Sequence, residues 1–374
     1  MANTLTAYQP TLFSAAQTVD AEPVGAVDAI NMSFDAKGVA KGDIVTVPVA
    51  PSRAASDFTP AATTTSGADA TGDSVSVQIT KSRKVSWHLT GEQQRSLDNG
   101  GVSQEWIRQL VAEGMRTLRN EAESDAVVAI YTGASRATGT AGTNPFASAL
   151  TPLADVRKIL RDNGAPMSDM QFVGDSTSEA NLLKLGIVNS AEQAGSDEER
   201  RSGLIKRQYG FQIRTSGQID AHTKGTGTSY QLSSAGAVGD TSISVDTGTG
   251  TVLAGDIVTF AGSSDKYVAN TALAGGLFTI GRPGLLAIEA DNDAITIGNT
   301  YTPNLAFERN AVVGVMRPPV MPSNPTINQM LISDGKGLTY LMLDISQYGQ
   351  RTWEIHLAWG FKAVQPSHIA LLLG

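Results

Sequence analysis

Four histidines are the first side chains to weigh for proton-transfer or metal chemistry: His88, His222, His356 and His368. They are scattered, and none stands in an H-E-x-x-H or other ligand-spaced pair. His88 and His356 fall in expected strands and read as ordinary cross-strand or surface positions. No G-x-S-x-G sequence offers a nucleophile elbow. The chain has no cysteine, which excludes disulfides, thiolate metal sites and cysteine nucleophiles. Gly335-Lys336-Gly337 lacks the upstream glycine and following Ser/Thr of a phosphate loop, and reads as a turn. Asp291-Asn292-Asp293 has oxygens suited to Ca²⁺ but not the rest of a Ca²⁺ loop, so a polar hairpin is expected. No catalytic residue, cofactor or metal site is expected, and the chain does not read as an enzyme.

Two charged groups remain. Lys81, Arg83 and Lys84 read as contacts to acidic patches on a neighbouring chain, or as solvated residues. Asp197, Glu198, Glu199, Arg200 and Arg201 form a charge run that is either a solvated loop or an ion-pair site between subunits. Such pairs add little stability when exposed but can fix register.

Composition narrows the class further. The 374 residues exceed one ordinary domain, so a main body with an insertion is expected. Charged residues are only 17%, and interface cores are depleted in charge. Net charge is −8 and no run of Lys or Arg exceeds two. That is not the footprint of a protein that grips phosphates, although the chain can neighbour or enclose nucleic acid. Residues 1–7 have neither a basic nor an apolar region, so no signal peptide is expected. The C-terminal apolar run Ile369 to Leu373 is too short to span a membrane.

The elements point to assembly. Pro10 to Val19 reads as a short helix in an N-terminal arm over 1–41. A polar β excursion then occupies 42–90. It runs out through Ile44 to Val49, crosses an Ala/Thr/Ser/Gly tract, and returns through Val75 to Thr80 and Val85 to Leu89. A two-stranded arm with so few large apolar groups cannot stabilise itself and needs a surface to lie on. Ile44, Val47 and Trp87 join Lys81, Arg83 and Lys84 as candidate contacts between subunits.

A long helix follows within 91–150. Ser103 is its cap, and Ile107, Leu110, Val111, Met115, Leu118, Ala122, Ala126 and Ile130 keep three–four spacing until Gly133. It spans roughly 40 Å. Residues 151–224 read as an α/β region. Its parts are a helix to Asp162, a buried strand Met170 to Gly174, a helix opened by a capping box at Ser176 to Glu179, and a strand through Tyr209, Phe211 and Ile213. Residues 225–299 carry short β units about ten residues apart and read as an inserted barrel or sandwich. Gly255-Asp256-Ile257-Val258-Thr259 echoes Gly42-Asp43-Ile44-Val45-Thr46, which reads as reuse of one turn-to-strand device. Over 300–374 the chain returns to the body, and Trp353, Ile355, Leu357, Trp359, Phe361 and Ala363 alternate along a long strand. A long helix packed along a long antiparallel sheet is expected.

This order of parts carries a resemblance. Leu5-Thr6-Ala7-Tyr8-Gln9-Pro10 opens the chain, and Phe172-Val173-Gly174-Asp175 stands in its middle. Asn304-Leu305-Ala306-Phe307 runs into Met316-Arg317-Pro318, and Trp359-Gly360-Phe361 is followed by Pro366. With the architecture, these segments resemble the major coat proteins of tailed bacteriophages, whose α+β capsid fold is shared with herpesviruses. The nearest resemblance is to the short-tailed Salmonella phage coat family, which carries an insertion domain. The resemblance implies a structural protein whose hexamers and pentamers close an icosahedral shell around double-stranded DNA. It implies a scaffolding protein and a portal as assembly partners, assembly in the host cytoplasm, expansion as DNA enters, and no membrane. Some phages of this fold weld subunits by Lys–Asn isopeptide bonds. The chain is similar to the branch that does not, so crosslinking through Lys81 or Lys84 is not expected. The other reading from the residues is a tail-tube, decoration or adhesin component, supported by the Gly/Thr-rich β content.

Overall fold

A computed structural model of the chain describes residues 9–20, 25–34, 38–49, 60, 73–101, 103–185, 207–321, 327–333 and 338–374. The tip of the β excursion, the charge run of Asp197 to Arg201 and the Gly335–Gly337 turn lie outside the described residues. The described helices are α1 (Gln9–Asp20), α2 (Ala26–Ala29), α3 (Gly91–Asn99), α4 (Ser103–Thr132), α5 (Thr151–Asp162) and α6 (Ser176–Lys184).

Helix α4 follows its apolar spacing. Ile107, Val111, Met115, Leu118, Ala122, Ala126 and Ile130 are all buried along one stripe. Its 30 residues give a rod of about 45 Å. The strand Gln350–Ala363 runs under it, and its 14 residues span about 46 Å. Trp353, Ile355, Leu357 and Trp359 are buried in the same core as the α4 stripe, with Phe361 and Ala363 packed against it. Matched length lets one helix cover one strand from end to end. Together they form a rigid plate.

The plate sheet is built around that strand. Thr339–Gln347 pairs with its first half and Val312–Arg317 with its second half. Asn31–Phe34 lies parallel beyond Val312–Arg317, and Ile327–Ser333 lies beyond Thr339–Gln347. On the opposite edge, Lys81–Thr90 pairs over its whole length, from Thr90 opposite Gln350 to Lys81 opposite Trp359. The 42–90 excursion therefore divides at Thr80. Only Ile44–Val49 and Asp73–Gln78 form a separate two-stranded ribbon, and the returning limb is a strand of the body.

A second sheet passes through the α/β region. Pro303–Glu308 sits between Ile369–Leu373 and Met170–Gly174, and all three strands are buried along their length. Two local expectations differ here. The cap of α6 is Asp175, whose carboxylate accepts from Thr177 N and Ser178 N, so Ser176 is the first helical residue and no Ser/Glu box forms. The expected strand through Tyr209 is a hairpin of Arg207–Gln208 and Phe211–Thr215. Its turn, Tyr209-Gly210, has φ of 48° and 87°. Two consecutive left-handed residues match the twist of a tight hairpin.

The 225–299 segment is a barrel joined edge to edge to this sheet. Six strands follow one another in space: Leu277–Thr279, Ser242–Asp246, Tyr230–Leu232, Ala294–Ile297, Ile257–Phe260 and Lys266–Val268. An Ala269–Ile280 bridge and the bond from Asn270 N to Thr279 O at 2.7 Å close the ring. Tyr230, Phe260, Tyr267 and Phe278 fill the interior. Lys266 and Tyr267 also pair with Ala137 and Arg136 of the body strand Arg136–Gly139. The chain enters and leaves at one place, where His222 and Tyr301 exchange backbone hydrogen bonds.

The echoed Gly-Asp turns share one geometry. Asp43 Oδ2 accepts from Ala40 N at 2.8 Å, and Asp256 Oδ2 from Leu253 N at 2.7 Å. Asp240 and Asp293 do the same for Ala237 N and Ala290 N. The residue before each Asp is left-handed: Gly42, Gly239, Gly255 and Asn292. The Asp291–Asp293 group is thus a turn whose last carboxylate is occupied by its own backbone. Among the described residues no cluster of three or more His, Asp or Glu is placed to hold a metal ion. Among the described residues no helix is long and apolar enough to cross a membrane.

Candidate assembly surfaces

Among the described residues, the ribbon is anchored along its base half. Val77 and Ile79 are buried against Val39, Val313, Val315 and Ala358, with Val45 and Val47 partly covered beside them. At the base itself, opposite Gln78, Ile44 is 60% exposed. The anchor depends on Gly360. A Cβ at that position would lie 2.0 Å from the Gln78 carbonyl oxygen. Gly360→Ala is therefore expected to lift the ribbon from the plate. Faster hydrogen exchange over 73–79, with little change in α4, is the expected readout.

The returning limb uses its charges within its own chain. Lys81 Nζ lies 2.9 Å from Asp125 and 3.4 Å from Glu121. Arg83 Nε lies 2.8 Å from Glu121, and Lys84 Nζ 2.7 Å from Glu354. The Asp125 hydrogen bond, the Asp125 charge and Glu121 together raise the Lys81 pKa above its ordinary value despite partial burial. Trp87 packs on α4 beside Gly114 and against the main core. The sequence offers these four residues as candidate contacts between subunits, with solvation as the other reading of the three charged ones. Their described partners are intrachain, because alternation turns Lys81, Arg83 and Trp87 toward α4 and Lys84 toward the far face. Of the candidates, Ile44 and Val47 remain on the separate ribbon.

On that far face, Glu354 accepts from His356 Nε2 at 2.9 Å as well as from Lys84. Burial raises the Glu354 pKa, but the hydrogen bonds from Lys84 and His356 outweigh it, and the net direction is down. Burial lowers the His356 pKa, opposed by Glu354, and burial also lowers that of His368. Both imidazoles are favoured neutral in the folded state, so the unfolded chain binds more protons below the ordinary value of 6.5. Their contribution is present above that pH and is lost as pH falls below it. We expect the His356→Gln/His368→Gln variant to lose less stability than the parent between pH 7 and pH 5. Denaturant titrations at the two pH values check this.

The N-terminal arm is held by two buried charges on α4. Glu123 accepts from Ala26 N and, at 2.8 Å, from Val27 N at the start of α2. Arg119 donates to Val19 O near the end of α1, at 2.8 Å. An anion meets a helix start and a cation meets a helix end, the favourable sense in both cases.

Where the barrel meets α4, Asp256 is fully enclosed. It accepts from Gly225 N, Leu253 N and His222 Nε2, the last at 2.9 Å. The His222 ring lies between Tyr131 of α4 and Tyr301, each 5.4 Å away between ring centres. The cluster is a structural joint, with every described polar contact made to the chain itself.

No family model matches the chain, and no curated protein matches it. Solved structures do. One from Mycobacterium phage Che8 has a TM-score of 0.50 at 13% identity, covering 94% of this chain and 91% of that chain. The capsid of cyanophage P-SCSP1u has a TM-score of 0.48 at 10% identity, covering 94% of this chain and 88% of that chain. The fold is the tailed-phage capsid fold.

Within this fold, the plate draws on segments from Asn31 to Ala363, and the second sheet and barrel are built from the stretches between them and from Ile369–Leu373. Sequence reasoning missed Glu123, Arg119 and Gly360 as positioning residues. Glu123 and Arg119 had a readable signal: two charges one turn apart inside the apolar stripe of α4. Gly360 had none, since the chain that crosses it lies 282 positions earlier.

Proposed function

We propose that this chain is a major capsid protein whose copies close into an icosahedral shell of hexamers and pentamers around double-stranded DNA. The observation that carries this reading is the ribbon of Ile44–Val49 and Asp73–Gln78. It pairs with no other described strand, yet it stands on a rigid plate within a capsid fold. A ribbon of this kind gains a stable surface by lying on the next subunit. Acidic balance suits the container, because a wall that repels phosphates leaves packaged DNA free to move. Assembly would occur in the bacterial cytoplasm with a scaffolding protein and a portal, and the product would be the virion capsid. The closed barrel at 225–299 supports a relation to the short-tailed Salmonella phage coat family, which carries an insertion domain. The protein then acts by self-association and not by catalysis.

Electron microscopy of the purified full-length chain tests the reading, alone and with a scaffolding protein. Closed shells or polyheads are expected, and tubes or fibres would instead indicate a tail or adhesin component. Deleting Asp57 to Asp73 is expected to leave near-normal circular dichroism and abolish shells. Shells from that variant would remove the ribbon from the mechanism.

A further inference from the structure

Ile288 and Glu289 lie the wrong way round on the barrel. Ile288 is 76% exposed, and Glu289 beside it is 4% exposed. Glu289 Oε1 is shut off from water and has no hydrogen-bond partner. The pair belongs to a strap over 284–290, laid against the segment 236–240. At one end Leu285 is buried in the barrel core, and it bonds to Asp240 O and Gly239 N through its backbone at 3.0 and 2.8 Å. The Tyr267 hydroxyl accepts from Leu286 N at 3.0 Å. At the other end Glu289 and Gly236 exchange backbone hydrogen bonds at 3.0 and 3.1 Å. Between these anchors Leu286 and Ile288 stand outward, with Val238 exposed on the facing segment.

The charges around Glu289 do not relieve it. Burial raises its pKa above the ordinary value, and Asp293 and Asp265, on the turns before Ala294–Ile297 and Lys266–Val268, raise it further. Asp240 accepts from Ala237 N, and Asp291 and Arg282 are exposed. Of the cations on the neighbouring strands, Lys266 donates to Gly139 O. Arg136 donates to Asn163 and faces Asp265 at 3.7 Å. A carboxylate that is sealed and unpaired is costly, and the neutral acid costs far less. Apolar out and acid in is a local rule broken, and such breaks mark elements held for a purpose other than packing.

We propose that the strap over 284–290 is a proton-operated latch on the barrel, closed while Glu289 is protonated and freed at its Glu289 end when that proton passes to solvent. No covalent bond of the chain changes. Opening turns the carboxylate to water and breaks the two bonds with Gly236, while Leu285 and Tyr267 keep the other end fixed. The closed strap holds the proton more tightly than an open one. Its support is therefore full below the ordinary value of 4.5 and is lost as pH rises through the higher value of the closed state. That sense is opposite to the one derived for His356 and His368, which lie outside the barrel. The latch changes the face the barrel presents, because the closed strap is what holds Ile288 outward beside Leu286. It belongs to the barrel alone and does not depend on assembly.

Hydrogen exchange of the full-length chain tests the latch, read over 234–240 and 284–292 and corrected for the intrinsic rate at each pH. Protection of both segments in the parent is expected to fall about tenfold from pH 5 to pH 8, while Ile257–Phe260 stays protected. Glu289→Gln is neutral throughout and is expected to stay protected at both pH values. Equal protection of the parent at both, or the same fall in Glu289→Gln, would overturn the proposal. Asp293→Asn keeps an acceptor for Ala290 N and removes a negative neighbour, so its strap is expected to open at lower pH than the parent's. This second variant decides the matter if Glu289→Gln does not fold. An opening pH unmoved or raised in it would overturn the latch.

Discussion

Trp359→Ala is expected to remove about 3–5 kcal/mol of folding stability, as truncation of a large buried aromatic does. The side chain is fully buried where the long strand passes under α4. It sits opposite Met316 on one neighbouring strand and opposite Lys81 on the other. Its indole N–H also donates to Asp125 at 2.8 Å, and Asp125 is the carboxylate that holds Lys81. Alanine therefore leaves a cavity and removes one of two partners from a partly buried acid. Trp359→Phe separates the effects. It keeps most of the ring volume and loses the N–H, so about 1–2 kcal/mol is expected. Denaturant unfolding of the three proteins measures both steps. Equal midpoints for parent and alanine variant would contradict the packing of this strand on α4.

Glu123→Ala is expected to release the N-terminal arm. Both carboxylate oxygens accept backbone N–H groups, from Ala26 and Val27, in a buried setting. Alanine strands two donors, at about 1–3 kcal/mol each. Helix α2 has only four residues and cannot hold itself against that loss. The arm should open before the body does, because only the docking of Leu12, Ala16 and Val19 on α4 and the Arg119 bond to Val19 O are then described as holding it. Limited proteolysis should cut between residues 20 and 25 much faster than in the parent, with α4 still protected from hydrogen exchange. Glu123→Gln keeps one acceptor and should fall between the two. Unchanged cleavage in the alanine variant would show that apolar docking alone holds the arm.

The long elements were legible because their signals are local and repeated. The three–four stripe of α4 and the alternation from Trp353 to Ala363 each extend over many turns or pleats, so no single residue decides them. The Gly-Asp turns were legible because one side chain bonds to the backbone three residues earlier. Helix α3 was missed for the opposite reason. It has no buried residue, and its one mark was Thr90 with Gln93, a reciprocal capping box at its start. Lys81–Thr90 looked like half of a free arm because its polar alternation matches the ribbon's. Its partner lies about 260 residues later, beyond the reach of any local pattern. Tyr209 was read as a strand position because its alternation with Phe211 and Ile213 survives a two-residue turn. For the assembly surface, the exposed ribbon could be read from composition. The intrachain pairing of Lys81, Arg83 and Lys84 could not, since their partners on α4 and on the strand Gln350–Ala363 are visible only once the elements are brought together.

The paired ends of the barrel bear on how such a chain can diversify. His222 and Tyr301 already touch through their backbones, so the segment between them comes and goes through one stitched doorway, with the edge at Arg136 and Ala137 as its second attachment. A lineage could enlarge, trim or exchange that module, and a protein engineer could graft a foreign fold there, without cutting a strand of the plate. Tyr131, Arg136 and Ala137 would be the price of the exchange, because they shape the seat on which any replacement must rest.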